Sequence, residues 1–361
     1  MEEKGKKGRM DYTLLLIVVL LVVIGLVILY STSAYNGQVK FHDSFYYLKK
    51  QAFATVLGIV LMLFVAGMDY HIWQRLAVFG YLAAVALSVA VMLFGREING
   101  SKRWLALGPF SFQPSEFAKV ALILFLADLV TKNVKTIGKM WTLCRIMFWI
   151  LPIVGLVGAS NLSTAIIILG IGVILIFVAS PKYAQFALMG IAGACFMGIF
   201  LALESYRLER LAIWRNPEKN EKGYQTLQGL YAIGSGGVFG VGIGNSVQKL
   251  GFVPEAQNDM IFSIICEELG LAGAGIIVFL FLLLIWRFFL IASGSRDLFG
   301  ALIATGAMAH MMIQVILNIA VVTNTIPNTG ITLPFISYGG TSVMFLLIEM
   351  GLVLSVSQVV D

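Results

Sequence analysis

The sequence predicts an all-α polytopic membrane protein, with about ten transmembrane helices and a large extracytoplasmic loop between helices seven and eight. Composition is the first reason: 59% of the 361 residues are hydrophobic and only 12% are charged, whereas a soluble domain has about 25% charged residues. Pattern is the second reason, because the apolar residues form long runs such as Leu14 to Tyr30, which holds no charge. Runs of about 18 or more apolar residues are typical of membrane-spanning helices.

Ten segments have the length and apolar character of a span. They cover residues 13–31, 52–68, 75–94, 116–131, 146–159, 162–180, 184–203, 259–287, 298–322 and 340–358. No small-residue cleavage site ends the first span, so it is predicted to be permanent. Only Ser160 and Asn161 separate the fifth span from the sixth, and Pro152 lies inside the fifth. Since internal repeats and low-complexity linkers are not evident, residues 1–361 are predicted to form a single membrane domain.

Basic residues indicate the orientation, because short cytoplasmic loops are enriched in lysine and arginine. Lys4, Lys6, Lys7 and Arg9 precede the first span, and Lys132, Lys135, Lys139 and Arg145 lie between the fourth and fifth. Both termini are therefore predicted to be cytoplasmic, although Lys40, Lys49 and Lys50 fall on the opposite face. The net charge of +6 fits a protein at a membrane surface. No aromatic–basic interleaving indicates a nucleic-acid partner.

The large loop covers residues 204–258 and has two parts. The first is strongly charged, with Arg207, Arg210 and Arg215 beside Trp214. The second is glycine-rich and reads Gly234-Ser-Gly-Gly-Val-Phe-Gly-Val-Gly-Ile-Gly244. It matches neither a dinucleotide-binding motif nor a P-loop. We expect its glycines to let a re-entrant backbone approach the helices closely.

Ionisable residues inside spans cost several kcal/mol at the bilayer centre, so each requires an explanation. Glu116 and Lys119 are spaced i, i+3 at the outer start of the fourth span and are close enough to pair. The sequence is equally compatible with a purely structural ion pair and with a functional role for these two residues. Asp259 opens the eighth span, where a role as the helix N-cap is slightly favoured over catalysis.

The remaining ionisable residues within the predicted spans are expected to have structural roles. Glu267 and Glu268 are expected to hydrogen-bond a neighbouring helix, and Glu349 to make a packing or folding contact. His310 is expected to be a buried polar contact within the ninth span. The histidines are scattered, the three cysteines lack metal-ligand spacing, and the HExxH and GxSxG signatures are missing. Ser/His/Asp catalysis and a protein-built zinc site are therefore not predicted.

Five segments carry more specific motifs. They are Gly100-Ser-Lys-Arg-Trp104, Gln113-Pro-Ser-Glu-Phe-Ala-Lys119, Pro254-Glu-Ala-Gln-Asn-Asp-Met-Ile-Phe262 with Glu267-Glu-Leu-Gly270, Asn318-Ile-Ala, and Pro327-Asn-Thr-Gly-Ile-Thr-Leu-Pro-Phe-Ile-Ser-Tyr-Gly-Gly-Thr-Ser342. In sequence and order they closely resemble the SEDS family of RodA, FtsW and SpoVE, over nearly the whole chain. The Ala320-Val-Val and Ile331-Thr-Leu-Pro-Phe-Ile segments are more similar to FtsW or SpoVE than to RodA.

The resemblance implies a bacterial peptidoglycan glycosyltransferase that polymerises lipid II at the outer face of the cytoplasmic membrane, in cell division. It also implies a class B penicillin-binding protein as partner, together with other divisome or elongasome membrane proteins. Two departures limit what is carried over. Ala159-Ser-Asn-Leu-Ser-Thr164 lacks the acidic residue of the usual Gln-Pro-Asp-Leu-Gly-Thr, so we assign no catalytic role there. Gln257-Asn258 replaces His-Thr before Asp259, so a histidine relay is not expected.

The implied reaction joins a sugar 4-hydroxyl to an anomeric carbon that carries undecaprenyl pyrophosphate, so it needs a base and positive charge near the leaving group. Asp259 matches the expected base, and burial at the membrane boundary would raise its pKa. Glu116 and Lys119 are expected to complete the catalytic set. Substrate contacts are expected from Lys102, Arg103, Arg207, Arg210, Ser337 and Tyr338. No tightly bound cofactor is expected, and a divalent cation, Mg²⁺ or Mn²⁺, is compatible with the pyrophosphate.

Two other functions are compatible with the sequence. A lipid II flippase would place charged groups along a path through the membrane, whereas Glu116, Lys119 and Asp259 are predicted near the outer face. A non-catalytic scaffold of the divisome would not need the Asp259 side chain. Replacement of that side chain separates an enzyme from a scaffold.

Overall fold

The computed structural model describes residues 8–98, 101–107, 110–187, 190, 213–219 and 223–359. Its α-helices are α1 (Tyr12–Phe41), α2 (Tyr46–Gly67), α3 (His71–Phe94), α4 (Pro114–Asn133), α5 (Met140–Ser160), α6 (Leu162–Ala179), α7 (Tyr224–Ser235), α8 (Ile261–Gly294), α9 (Leu298–Val322) and α10 (Gly340–Ser357). Three short strands lie between α3 and α4: β1 (Arg96–Ile98), β2 (Ser101–Leu107) and β3 (Phe110–Phe112). Val134–Thr136 and Pro217–Lys219 form single 3₁₀ turns.

Eight of these helices are long and apolar enough to cross a membrane: α1, α2, α3, α5, α6, α8, α9 and α10. The polytopic all-α prediction is therefore confirmed. Helix α4 also has spanning length, 20 residues, but carries four charged side chains, Glu116, Lys119, Asp128 and Lys132. The predicted seventh span, 184–203, lies for the most part outside the described residues.

Local sequence accounts for several helix boundaries. Asp11 and Asp297 cap α1 and α9, since their carboxylates accept the backbone N–H of Leu14 and Gly300. The break between α5 and α6 falls at Asn161, whose side chain accepts the N–H of Thr164. Helix α1 continues ten residues beyond the predicted span, through Asn36 and Gly37, and ends at a left-handed C-cap at His42.

Helices α4, α9 and α10 form the centre of the bundle. Every residue of α4 from Ala118 to Ala127 is buried, as are most residues of α9 and α10. Helix α10 packs along α2, while α9 contacts α4, α6, α8 and α10. The polar side chains of these central helices are consequently held inside protein rather than against lipid, which is the arrangement that membrane-embedded polar groups require.

The loops at one end of the bundle cover the starts of α4, α6, α8 and α10. The strands form an antiparallel sheet in the order β1-β2-β3, and Arg96 pairs with Trp104 across β1 and β2. The sequence analysis did not predict this sheet, nor helix α7. Both lie at the end of the bundle that was predicted to be extracytoplasmic.

Helix α8 is broken at Gly270, whose φ of 68° and ψ of −171° are not helical. The glycine-rich segment fills the break with backbone hydrogen bonds. Val241 and Gly242 donate to the carbonyls of Glu267 and Glu268, and Leu271 and Ala272 donate to those of Gly237 and Val238. The predicted close approach of this segment to a helix is therefore confirmed.

Candidate active site

Six of the nine residues predicted for catalysis or binding line one cavity of about 1580 Å³. They are Asp259, Glu116, Lys119, Arg103, Ser337 and Tyr338. The cavity lies between the loop end of the bundle and helices α2, α4, α6, α9 and α10. Residues far apart in the sequence thus converge because helices α2, α4, α6, α8 and α10 all begin at this end.

Asp259 lies in the loop immediately before α8 and is buried. The predicted N-cap role is wrong: Met260 occupies the cap position, and α8 has no side-chain cap. The Asp259 carboxylate instead accepts a hydrogen bond from Gln225 Nε2 at 3.4 Å, and its backbone carbonyl accepts one from Asn318 at 2.9 Å. These contacts tie the aspartate to α7 and α9 and leave its side chain at the cavity wall.

The pKa of Asp259 is raised to about 7, chiefly by burial and to a smaller extent by the nearby Glu255 carboxylate. The backbone N–H groups of Asp259 and Met260 lower the pKa in part. The expected direction is therefore confirmed, and desolvation is its main cause. A carboxyl group with a pKa near neutral is suited to general-base catalysis.

Glu116 and Lys119 form the predicted ion pair on the first turns of α4. Lys119 Nζ lies 3.1 Å from Glu116 Oε1, and their side chains are 2% and 8% exposed. Lys119 also donates to Gln314 Oε1 at 3.3 Å. Pro114 at the start of α4 fixes the entry of the chain into this helix. The pair therefore presents a held cation at the cavity.

Not all of the predicted substrate-binding residues are found at the cavity. Arg103 lines the cavity and donates to the carbonyl of Ser160 at 3.0 Å. Lys102, one residue earlier on β2, is exposed and does not line the cavity. The structure therefore brings Arg103, but not Lys102, to the predicted substrate site. Arg207 and Arg210 lie outside the described residues.

Ser337 and Tyr338 both lie at the cavity, and each has a defined partner. The Ser337 hydroxyl donates to the carbonyl of Asn258 at 2.6 Å, so it holds two loops together. The Tyr338 ring packs edge-on against Tyr47, with 5.0 Å between centroids. Burial, followed by the neighbouring tyrosines, raises the pKa of Tyr338 to about 12, so its hydroxyl remains a donor at neutral pH.

The sequence analysis missed several cavity residues. Lys49 and Lys50 were considered only for topology, yet both line the cavity, as do Gln225 and Gln314. One signal was available: His310, Gln314 and Asn318 recur every four residues in an apolar span and thus share one helix face. No local pattern marks Gln225, because its position depends on the folding of the large loop.

Glu267 and Glu268 make structural contacts away from the cavity. Glu268 accepts hydrogen bonds from Ser31 of α1 and from Lys249, at 2.8 and 2.6 Å. Glu267 accepts the backbone N–H of Val247 at 3.0 Å and pairs with Ser246. The predicted contact of this glutamate pair with a neighbouring helix is thus confirmed for Glu268.

Comparison with known proteins identifies the family. Residues 12–361 match the FtsW, RodA and SpoVE family, described as cell cycle protein. The chain belongs to this family. Its relatives include stage V sporulation protein E of Bacillus subtilis (strain 168), which is 40% identical over 98% of each chain. A probable peptidoglycan glycosyltransferase FtsW of Trichlorobacter lovleyi is 35% identical, over 96% of this chain and 93% of the relative.

Solved structures of the family have the same fold. A structure described as "Structural coordination of polymerization and crosslinking by a peptidoglycan synthase complex" matches with a TM-score of 0.82 at 30% identity, over 96% of this chain and 97% of the other. The rod shape determining protein RodA of Thermus thermophilus matches with a TM-score of 0.72 at 28% identity, over 96% of both chains. The SEDS resemblance of the sequence motifs is thereby confirmed.

Proposed function

We propose that this protein is a peptidoglycan glycosyltransferase that polymerises lipid II at the outer face of the cytoplasmic membrane, in cell division or sporulation. One observation carries the proposal: a buried carboxylate with a pKa near 7 shares a cavity with the held cation Lys119 and with Arg103. The FtsW relatives, which are named as probable peptidoglycan glycosyltransferases, agree with this chemistry. Both termini are proposed to be cytoplasmic, which places the cavity outside.

In the proposed reaction, Asp259 accepts the proton of the sugar 4-hydroxyl as its oxygen attacks the anomeric carbon of the second substrate. The bond from that carbon to undecaprenyl pyrophosphate breaks, and the pyrophosphate leaves with the electron pair. Lys119 and Arg103 stabilise the charge that develops on it. A single displacement of this kind inverts the anomeric centre and requires no covalent enzyme intermediate.

The apolar part of the cavity suits a polyprenyl chain. Phe53 and Leu57 of α2, Ile167 of α6 and Met344 of α10 line it. Phe53 and Leu57 are also largely exposed on the helix surface, so this wall opens towards the side of the bundle that lipid would cover. A lipid-linked substrate can thus keep its tail in the bilayer while its sugars occupy the polar end.

A divalent cation would have few protein ligands here. Among the described residues, no three His, Cys, Asp or Glu side chains form a group with metal-ligand geometry. The side chains therefore do not fit a protein-built metal site, and we assign no step of the reaction to a metal.

The flippase alternative is less well supported by this geometry. The ionisable groups behind the cavity, His310 and Glu349, are 1% exposed and hydrogen-bonded to each other. They are not among the cavity-lining residues described, and so they do not form an open polar path.

The proposed partner is a class B penicillin-binding protein, in line with the coordinated polymerization and crosslinking of the similar synthase complex. The test is polymerisation of purified lipid II by the complex of both proteins. Asp259→Asn keeps an acceptor for Gln225, so we expect normal folding and partner binding with a rate loss of about 10²–10⁴-fold. Glu218→Gln, an exposed carboxylate of the same loop, is the matched control. A near-normal rate of Asp259→Asn would exclude the mechanism and favour the scaffold.

A further inference from the structure

A chain of buried hydrogen bonds runs from Lys119 into the interior of the bundle. Gln314 Oε1 accepts from Lys119 Nζ at 3.3 Å and lies 2.8 Å from His310 Nε2. His310 Nδ1 lies 2.8 Å from Glu349 Oε2 on α10. The side chains of His310 and Glu349 are each 1% exposed. Two ionisable groups thus stand behind the cation of the cavity without touching the cavity.

The direction of these hydrogen bonds follows from Gln314. Its Nε2 donates to the backbone carbonyl of Thr332 at 3.1 Å, and a carbonyl can only accept. Gln314 Oε1 therefore faces both Lys119 and His310, so His310 Nε2 must carry a hydrogen. If the imidazole is neutral, Nδ1 is an acceptor and Glu349 must donate. If the imidazole is charged, Nδ1 donates to the Glu349 carboxylate. In both states one proton lies between Nδ1 and Oε2.

Glu349 thus holds the second nitrogen of the His310 ring, while the Gln314 oxygen requires a hydrogen on Nε2. Without a polar partner, Nδ1 is left buried and unpaired, and the ring is no longer fixed in the orientation that directs its Nε2 hydrogen at the Gln314 oxygen. The Gln314 oxygen would then be displaced from Lys119. Second partners of this kind commonly select the histidine tautomer in catalytic sites.

We infer that His310 and Glu349 are positioning residues for Lys119, acting through Gln314 on the cation that receives the pyrophosphate. The inference rests on the proposed function. A second contact of the same helix face supports it: Asn318, one turn beyond Gln314, donates to the Asp259 carbonyl at 2.9 Å and to that of Ile331 at 2.7 Å. One polar stripe of α9, formed by His310, Gln314 and Asn318, therefore holds the cation and the backbone of the proposed base in a common frame.

Substitutions at position 349 provide the test, because glutamine can form a hydrogen bond with His310 Nδ1 and methionine cannot. In Glu349→Gln the side-chain amide can donate to Nδ1 or accept from it and so keep the ring in place, and the polymerisation rate per folded protein should stay close to wild type. In Glu349→Met the shape is similar but no donor remains. We expect the rate, and the affinity for undecaprenyl pyrophosphate measured with the purified complex, to fall about tenfold or more, as for loss of a hydrogen bond to a charged group. Thr305→Val is the matched control, since the Thr305 hydroxyl is buried on α9 and bonds only its own helix at Ala301.

Combination with Lys119→Ala shows whether the effect passes through the lysine. Lys119→Ala should weaken undecaprenyl pyrophosphate binding, and Glu349→Met added to it should weaken binding no further. His310→Phe, which keeps a ring without nitrogens, replaces Glu349→Met if the latter does not fold. Equal loss in Glu349→Gln and Glu349→Met, or additive losses with Lys119→Ala, would overturn the inference. A wild-type complex that binds the pyrophosphate lipid but does not polymerise lipid II would instead overturn the proposed function alone.

Discussion

At the scale of single residues, the chemistry of the cavity depends on desolvation. Asp259 has no ion-pair partner among the described residues, and its burial is what raises its pKa. Lys119 is equally buried but is paired with Glu116 at 3.1 Å. The two residues therefore differ in their neighbours, since Lys119 has a counter-charge beside it and Asp259 has none among the described residues.

The pKa of Asp259 predicts a pH profile. A general base acts when ionised, so the rate should rise with pH up to about 7 and level off above it. Glu255→Gln removes a neighbouring carboxylate that raises the pKa of Asp259, and it should therefore move the midpoint to lower pH. Initial rates of lipid II polymerisation between about pH 5 and 9 measure both. A profile that is flat across this range, or a shift to higher pH in Glu255→Gln, would contradict the assignment.

The ion pair makes a second prediction. Removal of one member of a buried pair leaves an uncompensated charge, which costs about 3–5 kcal/mol. We therefore expect Glu116→Gln and Lys119→Met each to lower the thermal unfolding temperature in detergent and to abolish polymerisation. The double variant carries no buried charge at this place, so it should regain much of the stability but none of the activity. Substantial polymerisation by the double variant would reduce the pair to a structural role.

At the scale of elements, the break in α8 shows how a helix is interrupted without leaving polar backbone groups unpaired. The glycine-rich segment supplies donors and acceptors on both sides of Gly270. Such non-helical backbone is tolerated at membrane depth only where protein satisfies it. The contact is close, because a Cβ at Gly240 would lie 2.2 Å from the carbonyl oxygen of Glu268.

Gly240→Ala tests this contact. The residue has a φ of +76°, and its added Cβ would overlap the Glu268 carbonyl. We expect a loss of more than about 1 kcal/mol in stability, seen as a lower unfolding temperature, together with reduced activity. Gly234→Ala on α7 is the matched control. It meets no atom within 4 Å and should be neutral or slightly stabilising, since alanine favours a helix over glycine by roughly 0.5–1 kcal/mol. Equal behaviour of the two variants would show that the contact is dispensable.

At the scale of the whole molecule, the helices bring together at one end the segments that line the cavity. The sheet, α7 and the loop before α10 all lie at this end. The opposite end holds ion pairs such as Arg287 with Asp11 and Lys132 with Asp128. The proposed orientation places the first end outside the cell, where a glycan strand could grow.

Cysteine labelling in intact cells tests the orientation. In a background where Cys144, Cys195 and Cys266 are serine, single cysteines replace Lys135 and Lys219, both of which are exposed. A membrane-impermeant maleimide should label Lys219→Cys in intact cells and Lys135→Cys only after permeabilisation. The reverse pattern would show that the orientation is the opposite of the one proposed and that the cavity faces the cytoplasm.

The sequence by itself determined most of the spans, the i, i+3 pairing of Glu116 with Lys119, and the family, because helical periodicity, short-range spacing and contiguous motifs are local properties. Only the tertiary structure decided that Asp259 is buried at a cavity wall rather than capping α8, since that depends on Gln225 and on the folded loop. It also decided that Lys49 and Lys50 reach the cavity. His310 and Glu349 lie 39 residues apart in the sequence, and no local pattern relates them. Their pairing arises because α9 and α10 pack side by side, where a buried polar group without a partner would cost several kcal/mol.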